Sequence, residues 1–251
     1  MDCIQQLISQ SQPGLVWLGN DGWLLWDGEH LLGTDLDLLN PERLTPPPAD
    51  LTLLAERLDL LMITHGHEDH FNMASCRMLA ELGNCQFLIP ESCKEKAAAL
   101  PQKRVQLVRP GLRIARAGAE ITCTRAIHGH LLGTVYSGAS TLDCGYRLRF
   151  GGRAIYQPGD TLLLEEHLEM APADILFVSP TEHNTWIENS RQLIDRLHPR
   201  LALAQHFGTY AETSDNCFWT HGYIDELRES LSPEQRERWM VPEMGEIIGM
   251  P

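Results

Sequence analysis

The sequence predicts an α+β protein, a four-layer αββα sandwich in which two β-sheets face each other and helices cover their outer faces. Three observations point there. The first forty of the 251 residues carry short apolar runs broken by tight-turn residues, as antiparallel strands do. The middle of the chain changes to closely spaced strand-like runs separated by glycines. The last third alternates strand-like with helix-like segments. Pattern alone gives α/β or α+β; the sandwich rests also on the chemistry placed at the strand ends.

In order, GLVWLG and GWLLWDG read as antiparallel strands joined by a turn at Asn20-Asp21-Gly22, with Gly28 closing the second. Thr45-Pro46-Pro47-Pro48 is a stiff loop, too short to separate domains, and no internal repeat is present, so one domain over 1–251 is expected. Leu58 to Thr64 is a continuous apolar run typical of a buried strand, and it stops at a histidine cluster. The stretch 73–82 has helical spacing. QFLIP is the next strand and 91–100 the next helix. RVQLV, LRIARAG, AEITCTRAI, CGYRLRF and RAIYQPGD read as successive strands. ILFVSP is a strand, 186–197 a helix, LALAQHF a strand and 215–231 a helix.

Composition narrows the function. There are 34 acids against 20 bases, a formal charge of -14, and three lysines, Lys94, Lys96 and Lys103. Such a chain repels phosphate backbones and anionic membranes, so nucleic acid and membrane are not expected partners; a small molecule is, and self-association into a homo-oligomer stays open. Seven cysteines, an odd number with no C-x-x-C pair, suit reduced thiols in a cytoplasmic protein. The N-terminal stretch has no basic region followed by an apolar one, and no run approaches the ~18 apolar residues of a membrane span.

The eleven histidines are the other oddity, and Thr64-His65-Gly66-His67-Glu68-Asp69-His70 explains much of it. Three imidazoles and a carboxylate follow a buried strand directly. In extended chain His65 and His67 point the same way. If a helix starts soon after, Asp69 and His70 turn to a neighbouring point, and one segment then serves two adjacent metal ions. Imidazole nitrogen with carboxylate oxygen suits zinc first, then manganese or iron. The bland alternative, a solvated polar loop, fits this spacing poorly. Further ligand-type residues end apolar runs downstream: His128, Asp160 and His206. Each alone is weak, because strand-end Asp and His are common; in series they are strong. His130 competes with His128 if the strand register slips.

With these residues in place, the chain resembles the metallo-β-lactamase-fold hydrolases over nearly its whole length. The carrying motifs are LDLLMITHGHEDHF and GGRAIYQPGDT, with the opening hairpin, in which Asp35 is similar to an acid that sits behind the ligands. Within that superfamily it looks most like the compact branch of L-ascorbate-6-phosphate lactonases and related metal-dependent hydrolases. The resemblance implies a first ion held by His65, His67 and His128, a second by Asp69, His70 and His206, and Asp160 bridging them. In those lactonases the position of His128 is not reliably His, so its presence favours a full dinuclear site over that particular activity.

The expected reaction is hydrolysis of a lactone or ester, with or without a phosphate, by hydroxide generated between the ions. Asp69 and Asp160 are expected to act catalytically as well as ligate. His183 contacts substrate or donates a proton, unless its loop merely caps a helix through Asn184 or Thr185. His221 is a weaker candidate for the pocket. Arg125 is the nearest cation for a phosphate, but its side chain faces elsewhere if the strand is regular. Trp17, Trp186, Phe207, Tyr210 and Trp219 are candidates for pocket wall or core. Glu68 should point away, Thr64 and Thr161 should brace ligands, and His30, His167 and His198 read as surface or turn residues. The competing readings are a phosphodiesterase or nuclease, a di-iron redox enzyme, and a non-catalytic metal protein.

Overall fold

Each residue of the strand Trp23–Trp26 is buried, because both faces of its sheet are covered. Trp23 and Leu25 face a second sheet, while Leu24 and Trp26 face helices, the period-two alternation of a strand between two layers. In the computed structural model, which describes residues 2–130 and 133–251, this arrangement extends to two seven-stranded sheets. The first runs Ile247–Gly249, Gly14–Trp17, Trp23–Trp26, Leu31–Thr34, Leu60–Met62, Gln86–Pro90, Val105–Val108. Its first four strands are antiparallel and the rest parallel. The second runs Trp239–Met240, Leu201–Ala204, Ile175–Val178, Arg153–Gln157, Cys144–Phe150, Ala119–Arg125, Arg113–Arg116. Its parallel half comes first and its antiparallel half last.

Trp23, Leu60 and Met62 of the first sheet pack against Tyr146, Ile155, Phe177 and Leu203 of the second. The helices Cys3–Ile8, Leu51–Arg57 and Met73–Leu82 cover the first sheet, and Trp186–Leu197 with Ile224–Ser230 cover the second. This is the expected αββα sandwich. No helix among the described residues is long and apolar enough to cross a membrane.

Three elements differ from expectation. The helix expected over 91–100 shrinks to Lys94–Ala97 after a 3-10 turn at Glu91–Cys93, since Pro101 disfavours helical backbone just before it. The helix expected over 215–231 splits into Cys217–Thr220 and Ile224–Ser230. The break falls at Gly222 and Tyr223, both at positive φ, where a Cβ on Gly222 would lie 2.4 Å from the Phe207 Cβ. Val105–Val108, read with the strands that follow it, instead completes the first sheet beside Gln86–Pro90.

Candidate metal centre

The buried strand Leu60–Met62 delivers the histidine cluster to one edge of the sandwich. Tyr146 of the facing sheet donates from its hydroxyl to the Ile63 carbonyl at 2.6 Å, and Thr64 N donates to Asp35 Oδ1 at 2.8 Å. The chain then turns: the amides of His70 and Phe71 both donate to the His67 carbonyl, and the helix Met73–Leu82 starts under the Asn72 cap. His70 is thereby swung beside His65, ring centroids 4.1 Å apart.

The other strands end at the same edge. Ala119–Arg125 leads to His128, Arg153–Gln157 to Asp160, Ile175–Val178 to His183 and Leu201–Ala204 to His206. Thr161 Oγ1 accepts from Ile127 N and braces the segment carrying His128. His206 has φ 63, a backbone that costs a non-glycine residue about 1–2 kcal/mol, held by its amide donating to Asn20 O.

The geometry centres on Asp160, 2 % exposed. Its Oδ2 lies 3.9 Å from His65 Nε2, 3.4 Å from His128 Nε2, 3.5 Å from His70 Nε2 and 3.4 Å from His206 Nε2. His183 Nε2 is 2.8 Å from the same oxygen, and Asn184 Nδ2 donates to Oδ1 at 3.0 Å. Around this hub the ligand-type atoms fall into groups that overlap at His128 and Asp160, one of which takes in His183. His65, His67 and His128 converge on one side, with His65 Nε2 and His67 Nδ1 3.0 Å apart. His70 and His206 converge on the other, where Asp69 Oδ2 is 3.5 Å and 3.7 Å from their Nε2 atoms. Bonds of ~2.1 Å to one ion put its tetrahedral ligands ~3.4 Å apart, close to these spacings.

Electrostatics favour cations here. Burial lowers the pKa of His65 well below its usual value and that of His67 as well, leaving neutral rings with free lone pairs. Burial opposes charge on His206 too, but Asp160 and Asp21 outweigh it and raise its pKa to about 9. At His70 burial is likewise overcome, by Asp160, Asp69 and Asp35. Carboxylates that favour a proton on these rings favour a metal ion in its place. The fit shows also in polar atoms left without partners: His70 Nε2 and His206 Nε2 are both buried and make no hydrogen bond. On the far side of His70, Nδ1 meets Asp35 Oδ2 at 2.9 Å, which directs Nε2 towards the centre. The residues present therefore suit divalent metal.

A cavity of ≈310 Å3 opens onto the centre, floored by Asp69, Asp160 and His183 and walled by Tyr136, Phe218 and Trp219. Of the aromatic candidates only Trp219 reaches it; Trp17 stacks on Phe207 at 4.6 Å, and Trp186 packs on Tyr223. His128 sits in the cluster, whereas His130 is exposed and lines the cavity against Tyr136 and Phe218. Asn184 and Thr185 do not cap a helix with their side chains; Asn184 holds Asp160 instead. His221 faces Glu212 and Glu226 at the surface, away from the cavity. Arg125 is exposed and reaches Glu166. Glu68 points out to Lys96. His30 pairs with Asp27 and His198 ends a helix, but His167 is fully buried, its Nε2 on the Arg125 carbonyl.

Asp21 escaped the sequence reading, which took it as part of an ordinary turn. It is fully buried, with Oδ2 3.8 Å from His70 Nε2 and 3.7 Å from His206 Nε2. Asn20 beside it donates to Asp69 Oδ2 at 3.1 Å. The available signal was an acid in a tight turn between two wholly apolar strands.

A two-sheet sandwich with His and Asp gathered at one edge defines the class, and residues 30–207 match the Beta-lactamase superfamily domain. The chain belongs to that family. It is 22% identical over 262 residues to a UPF0173 metal-dependent hydrolase of Anaeromyxobacter dehalogenans, covering 98% of this chain and 89% of the relative. Among solved structures it is similar to a metallo hydrolase from the archaeon Ignicoccus hospitalis, with TM-score 0.69, 20% identity and coverage of 94% and 97%. It is also similar to an isothiocyanate hydrolase from Delia radicum gut bacteria, with TM-score 0.67, 19% identity and coverage of 94% and 98%.

Proposed function

We propose that the protein is a metal-dependent hydrolase of a small, uncharged ester or lactone, a lactonase-like activity. One observation carries this reading: a single buried carboxylate oxygen, Asp160 Oδ2, stands between two ligand groups at the floor of a small aromatic-walled cavity. His65, His67 and His128 would hold one divalent ion, and Asp69, His70 and His206 the other, with Asp160 shared. Zinc is the first expectation, manganese or iron the next. When bound, such a pair supplies positive charge that makes water acidic and stabilises negative charge developing on the substrate.

The protein's own groups do the positioning. Asn184 and His183 fix both oxygens of Asp160. Asp69 is held ionised: burial opposes its charge, but His70 and His206 outweigh that and set its carboxyl far below the usual range. Its side chain, partly open to the cavity, orients the attacking water. Burial holds the His183 imidazole down to about 4, so it is neutral at pH 7. With Nε2 on Asp160 and Nδ1 buried, the ring positions that carboxylate and presents its apolar edge to the cavity. The residues described around the cavity include no Lys or Arg, and this favours an uncharged substrate over a phosphorylated one or a phosphodiester. A volume of ≈310 Å3 suits a small molecule.

The test is metal analysis followed by a substrate panel of lactones, carboxylic esters, thioesters, β-lactams, isothiocyanates and phosphodiesters. Two equivalents of divalent metal, with ester or lactone hydrolysis lost in Asp160→Ala, are the expected result. Activity unchanged in His65→Ala and His67→Ala would refute it, and bound iron with oxygen consumption would favour a redox enzyme.

A further inference from the structure

We propose that Asp21 is an additional ligand of the inner ion, the one beside His70 and His206, and that it makes this site selective for manganese or ferrous iron while the outer, imidazole-rich site takes zinc. The proposal rests on the dinuclear reading above and adds to it a residue outside the ligand set that the sequence motifs supply.

The placement of Asp21 is built. Its turn is closed by Leu18 N donating to Gly22 O and Gly22 N donating to Gly19 O, both 2.8 Å. The same turn is tied to the second sheet: Asn20 N donates to Thr209 Oγ1 at 2.6 Å, and Asn20 O accepts from the amide of His206 itself. Gly22 is needed, since a Cβ there would lie 2.9 Å from Gly19 O and 3.3 Å from Asp35 O. One oxygen of Asp21, Oδ1, accepts from Ser179 Oγ at 3.3 Å. The other, Oδ2, is buried and makes no hydrogen bond; it faces His70 Nε2 at 3.8 Å and His206 Nε2 at 3.7 Å, which are also buried and make none. Three buried polar atoms that make no hydrogen bond converge on one point, the arrangement a bound cation completes.

The selectivity follows from the donor set. With Asp21 the inner site gathers three carboxylates, Asp21, Asp69 and Asp160, and two imidazoles. The outer site has His65, His67 and His128 and only a share of Asp160. Oxygen-rich sites of five or more ligands suit manganese, whereas imidazoles in a four-coordinate set suit zinc. Asp21 also lies deeper than the cavity floor, so it ligates without blocking substrate.

The experiment loads metal-free protein with Mn2+ and Zn2+, separately and in competition, and reads stoichiometry by elemental analysis and Mn2+ by electron paramagnetic resonance. The isosteric Asp21→Asn should lose one equivalent or bind the inner ion at least ~10–100-fold more weakly, the range seen when even a partner of a ligand is lost. Its outer Zn2+ should remain. In His67→Ala the outer ion should be lost and the Mn2+ signal kept. Should Asp21→Asn fail to fold, anomalous diffraction on the unsubstituted protein with one equivalent of Mn2+ decides: Asp21 Oδ2 is expected within bonding distance of the ion, about 2.0–2.2 Å. Two ions bound with unchanged affinity and competition in Asp21→Asn, or an Asp21 oxygen beyond bonding distance with only water against it, overturns the inference. Failure of the unsubstituted protein to bind any ion sinks the dinuclear reading instead.

Discussion

Replacing Asp35 with Asn isolates what a carboxylate does when it never touches the metal. Asp35 is fully buried, with φ 42, a backbone that Asn tolerates well. Its Oδ1 accepts from Thr64 N at 2.8 Å; its Oδ2 accepts from Thr64 Oγ1 at 2.5 Å and meets His70 Nδ1 at 2.9 Å. The Asn amide has two orientations. With its oxygen kept on the Thr64 amide, its NH2 faces Thr64 Oγ1 and His70 Nδ1, and His70 must accept there and carry its proton on Nε2. With the amide flipped, two N–H donors confront each other at Thr64, at about 1–3 kcal/mol. The first orientation wins, and it removes the lone pair that His70 Nε2 would give to a metal. The expected result is a folded protein whose inner-ion affinity falls ~10–100-fold, about 1.4–2.7 kcal/mol. Metal titration gives the affinity and 15N spectra of the histidines give the tautomer. Unchanged affinity, or a His70 Nε2 still free of its proton, would refute the reasoning.

Three further perturbations are informative. His183→Phe should keep both metal equivalents at saturating metal and lower kcat/KM ~10–100-fold, the range seen when a ligand's hydrogen-bond partner is lost, because Asp160 Oδ2 loses the ring that holds it; intact kinetics would remove His183 from the site. Gly159 has φ 66, and a Cβ there would sit 2.8 Å from the Thr64 Cβ. Gly159→Ala should therefore destabilise by about 1–3 kcal/mol in denaturant melts and reduce metal content with it, because the strain falls between Asp160 and the histidine turn. His167 is buried, and burial lowers its pKa from 6.5. The unfolded chain then takes the proton first, so this contribution to stability is complete above pH 6.5 and is lost as pH falls below it. In chelator, His167→Gln should be less stable than the parent at pH 7. It should also lose less on acidification to pH 5.5, the parent's extra slope being up to ~1.4 kcal/mol per pH unit. Equal acid slopes would show that His167 does not titrate this way.

The parts of the centre legible in the sequence were those encoded locally. His65, His67, Asp69 and His70 fall within one six-residue span just after a buried strand, and His128, Asp160 and His206 each end an apolar run. Asp21 was hidden because a turn acid looks alike whether it faces solvent or His206; only the docking of the first hairpin on the second sheet decides that. Capping by Asn184 or Thr185 stayed open as an alternative for the same reason, since Asn184's partner Asp160 lies 24 positions away. The helix break at Gly222 depends on Phe207, and the strand Ile247–Gly249 on pairing with Gly14–Trp17, contacts that no local window contains. What the strand ends could reveal was the direction in which ligands are delivered, not which loops from elsewhere fold under them.

The ligand-type residues divide between the two sheets. Asp21, His65, His67, Asp69 and His70 stand on loops of the first, and His128, Asp160 and His206 on loops of the second. An ion shared between them is a non-covalent cross-link across the sandwich, and the unfolded chain offers only the local cluster from His65 to His70. Each ion at 100 times its Kd would then add up to about 2.7 kcal/mol to the folded state. Metal supply would govern the lifetime of the folded chain as well as its turnover, and chelation would loosen the joint between the sheets before it disturbs either sheet alone.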